Sequence, residues 1–112
     1  MENQFAKQKV IQDITNEDVR VQVNGYIKNI QDDNAFILDD KSGELKVDLE
    51  SLETPFEYEK GDLVKVIGDL RITTSGEKIL NGEIILDISG LNFKYYQKLY
   101  QLKKDILQNE NV

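Results

Sequence analysis

Residues 19–30 force the first decision about the fold. Val21, Val23, Gly25 and Ile27 recur at every second position, with polar residues or Tyr26 between them. That is the period of a strand with one buried and one open face. The run extends from about Val19 to Ile30, and Gly25 in its middle permits a bend or a close backbone approach. A strand this long must serve both halves of a small closed sheet. The alternation returns in Phe36 and Leu38, then in Leu45, Val47 and Leu49, on either side of Asp39-Asp40-Lys41-Ser42-Gly43. Gly43 is expected to supply the positive φ of that tight turn. A long strand followed by a tight hairpin opens a small antiparallel barrel.

The rest of the chain extends this pattern. Residues 1–10 are polar with isolated apolar positions and are expected to form a flexible extension. Ile11 and Ile14, with Val10, form an extended lead-in that packs on the barrel before the turn Asn16-Glu17-Asp18. Gln31-Asp32-Asp33-Asn34 makes the first connection, followed by strands at about 35–38 and 44–49. Residues 50–60 lack clean periodicity and hold the only proline, Pro55; a short helical turn is possible there, with Phe56 plugging the barrel end. Gly61-Asp62 signals a turn, strand four runs over Leu63–Ile72, and Thr73-Thr74-Ser75-Gly76 forms a hairpin loop. Strand five follows from Lys78 to about Ile88, interrupted by Gly82.

After Ser89-Gly90 the period changes. Tyr95, Leu99, Leu102 and Ile106 are spaced 4, 3 and 4 apart, one face of a helix, with a second stripe through Tyr96, Tyr100 and Leu107. Ser89 or Asn92 is positioned to cap it. The fold class is therefore all-β, a five-stranded OB-fold barrel over residues 11–90 with a C-terminal α-helix over 91–108.

Composition narrows the chemistry. The 112 residues suit one domain and contain neither cysteine nor histidine. This excludes thiol chemistry, imidazole acid–base catalysis and the usual structural zinc site. No cofactor is expected. Asp39, Asp40 and Glu44 lack calcium-loop spacing and read as turn chemistry. No nucleophile or base accompanies the carboxylates, so the chain is read as non-enzymatic. Without an apolar run long enough to cross a bilayer, or a signal-peptide pattern, it is expected in the cytoplasm or nucleus. The net charge is −7. Residues 91–112 carry four lysines against Asp105 and Glu110, a balance of +2, which leaves −9 on the remainder. Any nucleic-acid site must be a local patch in an unfavourable background.

Several stretches carry a resemblance: IQDIT, VQVNGYI, FILDDKSGELKVDL and GDLVKVIGDL. Together they resemble the nucleic-acid-binding OB-fold superfamily, most of all the small subunits of replication protein A of archaeal and eukaryotic type. Val23, Gly25, Phe36, Leu38, Asp39, Gly43, Gly61, Asp62, Val66 and Gly68 stand at the matching places. Telomere-capping small subunits share barrel and helix, and anticodon-binding modules share the barrel. The C-terminal NFKYYQKLYQLKKDIL is similar to the helix through which such small subunits join larger OB-fold subunits. The resemblance implies a role in DNA replication or repair, with helix-mediated assembly and at most weak contacts to single-stranded DNA. A protein-interaction adaptor without nucleic-acid contact and an RNA-binding module stay open as alternatives.

Single-strand binding needs cations for phosphates and flat side chains for bases. Tyr26 has the parity to stack on a base, against the plainer reading of a tyrosine packed on a loop. Phe36 shares the register of Leu38 and belongs to the core, so Ile37 points outward. Lys28, Lys46, Lys65, Arg71 and Lys78, with Arg20, are the candidate phosphate contacts, although solubility alone explains lysines on strands. Asp32, Asp33, Asp48 and Asp69 would repel phosphate. For partner binding the candidates are Tyr95, Tyr96, Leu99, Tyr100, Leu102, Ile106 and Leu107. If the Tyr95 stripe seals the barrel bottom, the stripe through Tyr96 and Tyr100 stays exposed for a partner.

Overall fold

The long strand does bind both halves of the sheet. A computed structural model describes residues 6–31 and 34–110. Its elements are β1 (Lys7–Gln8), β2 (Arg20–Gln31), β3 (Ala35–Asp39), β4 (Glu44–Asp48), β5 (Leu63–Ile72), β6 (Lys78–Asp87) and α1 (Phe93–Glu110). The first half of β2 pairs antiparallel with β5, and its second half pairs antiparallel with β3. The order β2-β3-β4-β6-β5, with β5 returning to β2, closes a five-stranded barrel. The β4–β6 pairing is parallel. Val21, Val23 and Ile27 point inward with Phe36, Leu38, Val47, Val64, Val66 and Leu80, all at most 1% exposed. This is the face that the alternation selects.

Two glycines let the sheet bend. A Cβ at Gly68 would stand 2.0 Å from the Asn81 carbonyl oxygen, because Gly68 faces Gly82 where the β5–β6 register shifts. The shift leaves Glu83 outside the ladder, where it and Asp69 both bind Arg20, at 3.0 and 2.9 Å. Arg20 is thus tied to acids of the barrel itself. At Gly25 the backbone of Asp39 approaches, its carbonyl oxygen 3.0 Å from the would-be Cβ.

The β3–β4 turn differs from expectation. Its left-handed residue is Lys41, at φ 73°, not Gly43. Asp39 accepts the Lys41 N–H at 2.8 Å and Asp40 accepts the Ser42 N–H at 2.9 Å, so two aspartate turns in succession fix the backbone. Gly43 serves packing instead: a Cβ there would lie 3.1 Å from the Ile11 methyl.

The lead-in is a 3-10 turn, Ile11–Asp13, rather than an extended segment. Val10 and Ile14 are buried as expected. Residues 1–5 of the expected flexible extension lie outside the described residues, as do Asp32 and Asp33. Lys7 and Gln8 pair in parallel with Val21 and Gln22. Residues 50–60 form turns without a helix. Phe56 stacks on Phe36 at 5.5 Å, and the Tyr58 hydroxyl donates to the Ile85 carbonyl at 3.2 Å. Phe56 therefore closes this end of the core.

Candidate partner and nucleic-acid interfaces

The helix begins where Asn92 caps it, its side-chain oxygen accepting the Tyr95 N–H at 3.0 Å. Ser89 donates its N–H to Asp87 instead. The docked side of the helix carries Phe93, Tyr96, Gln97, Tyr100 and Lys104. The Phe93 ring meets Tyr26 edge-on at 5.1 Å. The Tyr96 hydroxyl accepts from Gln8 at 3.0 Å, and Gln97 donates to the Asp40 carbonyl at 3.0 Å. Asp13 accepts the Tyr100 hydroxyl at 2.9 Å and both of its oxygens receive Lys104 at 3.0 Å.

The two aromatic–aliphatic stripes are thus exchanged relative to expectation. Tyr96 and Tyr100 lie on the barrel, because their hydroxyls find Gln8 and Asp13 there. Tyr95, Leu99, Leu102 and Ile106 point away and are 63%, 40%, 56% and 49% exposed. They fall within roughly 60° on a helix of 3.6 residues per turn. Leu107 follows Tyr100 on the docked side but is 61% exposed. A small groove of about 270 Å³ between the helix and β1 is lined by Gln8, Tyr96, Leu99, Tyr100 and Lys103. Leu99 links this groove to the outer stripe.

The clamp on Asp13 sets a pH window. Partial burial pushes the Asp13 carboxyl up, but the hydrogen bonds from Lys104 and Tyr100 outweigh it and hold the carboxyl below its ordinary value. Burial, with the Asp13 hydrogen bond, pushes the Tyr100 hydroxyl up to about 12. A lowered carboxyl stabilises the docked helix above its unfolded value and loses that effect as pH falls through the folded one. A raised tyrosine stabilises below about pH 10 and loses the effect as pH rises through its folded value. Helix docking is therefore expected to hold between about pH 4 and 10 and to loosen on both sides. Tyrosine absorbance and fluorescence across a pH titration check this.

The candidate nucleic-acid residues do not form one groove. Ile37, Lys46 and Lys78 line a cleft of about 470 Å³ together with Ile11 and Ile14 of the lead-in. Glu44 and Glu77 line the same cleft. Lys46 and Lys78 make no ion pair among the described residues. Lys28 falls where the β2–β3 register shifts and pairs with Glu44 at the cleft edge. Arg71 is bound to Asp48 at 3.0 Å. Lys65 stands apart on β5, donating to Gln22 at 3.0 Å, and burial lowers its pKa. Tyr26 sits under the helix start with Lys41 5.4 Å above its ring centroid, the packed reading rather than the base-stacking one.

Asp40 is the residue that sequence reasoning missed. It is 1% exposed, and its carboxylate accepts the Ile11 N–H at 2.7 Å, besides the Ser42 N–H and hydroxyl at 2.9 and 2.7 Å. Lead-in, hairpin and helix all converge on it. An aspartate inside DDKSG signals only a turn.

A barrel with a helix clamped along its side and an apolar stripe left outside can be set against known proteins. The sequence profile of one family, Ten1_2, described as telomere-capping, CST complex subunit, matches residues 6–110. The chain belongs to this family. No curated protein sequence matches it. Among solved structures it is similar to a chain of the S. pombe Stn1–Ten1 complex, with 16% identity and a TM-score of 0.71. That match covers 93% of this chain and 96% of the other. It is similar as well to the telomere capping protein Ten1 from Saccharomyces pombe, with 16% identity, a TM-score of 0.68 and coverage of 90% and 99%. A chain of a replication protein A heterotrimer bound to ssDNA gives 15% identity, a TM-score of 0.56 and coverage of 80% and 73%. At these identities the structural likeness is one of fold. Among the described residues, no helix is long and apolar enough to cross a membrane.

Proposed function

We propose that this chain is the non-enzymatic small subunit of a telomere-capping complex built like replication protein A, acting in the nucleus. It joins a larger OB-fold subunit through the outer face of its helix. The observation that carries this reading is the stripe of Tyr95, Leu99, Leu102 and Ile106, left exposed while the other side of the helix is fastened to the barrel. An apolar face of this kind is the usual mark of an interface. Solved chains similar to this one come from a Stn1–Ten1 complex and from a replication protein A heterotrimer, both multi-subunit assemblies.

The test leaves the docked side untouched. Leu99→Glu with Leu102→Glu alters only exposed positions, so the barrel and its helix should retain their stability. Co-expressed with the larger OB-fold subunit of the complex, the double variant should lose at least ~100-fold in affinity, since each buried leucine is worth roughly 1.5–3 kcal/mol. Full assembly by the double variant would refute the proposal.

The barrel itself contributes weak DNA contacts at most. Its cleft sets two lysines beside two glutamates, on a body of −9. Titrated with single-stranded oligonucleotides at low salt, the isolated chain should bind feebly. Lys46→Ala with Lys78→Ala should lower that affinity and flatten its salt dependence by about two charges. No binding at all would favour the second reading, an assembly subunit whose partners hold the DNA.

A further inference from the structure

We propose that the outer stripe takes an amphipathic helix of the larger subunit whose apolar seam is flanked by acidic residues, selected by Lys94, Lys98 and Lys103. This rests on reading that stripe as the assembly face. Four lysines make the helix basic on an otherwise acidic chain. Only Lys104 is committed internally, through its ion pair with Asp13. Lys94, Lys98 and Lys103 are exposed and make no ion pair among the described residues.

Their positions give the charge its meaning. At 3.6 residues per turn, Lys98, with Lys94 behind it, borders the stripe on one side, and Lys103 borders it on the other. These are the flanking places from which charged side chains choose a helical partner and its register. The nearest acid on this face, Asp105, already accepts a hydrogen bond from Gln101 at 3.0 Å. Lys103 also stands at the groove shared by Gln8, Tyr96 and Leu99, so an acid there would guide an apolar side chain into the groove beside it.

The probes are two helical peptides of about 25 residues, long enough to hold a helix, with one identical leucine stripe. One has glutamates at the flanking positions and the other has lysines. Titrated against the full chain at low salt, the acidic peptide should bind about tenfold more tightly, and the gap should close at high salt. Lys94→Glu, Lys98→Glu and Lys103→Glu together should reverse the preference. All three residues are exposed, so folding is not at risk. Equal binding of both peptides, or a preference unchanged by the reversal, would overturn the charge selection and leave the stripe as a docking face. Failure of both peptides to bind would overturn the docking face, and the selection with it.

Discussion

Gly68→Ala should destabilise the chain by at least ~3 kcal/mol, the largest stability effect expected from a single methyl group here. The added Cβ would lie 2.0 Å from the Asn81 carbonyl oxygen and 2.8 Å from its carbonyl carbon. Both atoms are backbone, so no side-chain rotation relieves the clash. β6 would have to move away from β5 at the point where Gly68 faces Gly82 and the register shifts. That movement would also pull Glu83 from Arg20, a loss that follows the main one. A domain of this size has roughly 5–15 kcal/mol in total. Urea unfolding should accordingly show a marked drop in midpoint. Gly90→Ala is the control: nothing lies within 4 Å of its would-be Cβ, and it should be nearly neutral. Equal midpoints for both variants would show that the β5–β6 approach is looser than described.

Asp40→Ala ranks second and acts through polarity. Its carboxylate satisfies the backbone N–H groups of Ile11 and Ser42, together with the Ser42 hydroxyl, at a site that is 1% exposed. Alanine would leave those donors without a partner. Hydrogen bonds to a charged acceptor are each worth about 1.5–3 kcal/mol, and stranded buried donors add to the loss. We expect a loss of ~3 kcal/mol, with the lead-in turn released from the hairpin. Asp40→Asn keeps one acceptor oxygen and should fall between alanine and the native chain. Denaturation of the three proteins, with proteolysis rates near Ile11, measures both effects. An alanine variant of native stability and native protease resistance would contradict this role.

The barrel was legible because its information is periodic. Val21, Val23 and Ile27 on β2 and Leu63–Ile72 on β5 show their inner faces in the order of residue types alone. Gly82 marked an interruption of its strand, although only the structure shows that it faces Gly68. The side of the helix that docks was not legible. Both stripes are apolar enough, and the choice is made by polar atoms: Tyr100 and Lys104 reach Asp13, while Gln97 reaches the Asp40 backbone. Those partners are more than fifty residues away in sequence. The residues Phe93, Gln97, Tyr100 and Lys104 at helical spacing were the available signal, a half-polar face matched to a half-polar surface.

The candidate groove was legible only in part, for a related reason. Parity places a lysine outward but says nothing about the acid beside it. Lys28 is drawn to Glu44 and Arg71 to Asp48, which leaves Lys46 and Lys78 as the free cations of the cleft among the described residues. Tyr26 had outward parity too, yet Phe93 occupies the space beside its ring.

Assembly through the outer stripe requires that residues 95–106 become covered in the complex. Amide hydrogen exchange, recorded on the chain alone and then bound to the larger OB-fold subunit, tests it most directly. We predict slower exchange across residues 95–106 in the complex, with the β3–β4 cleft little changed. Unchanged exchange along the helix, with new protection confined to the barrel, would rule out assembly through the outer stripe.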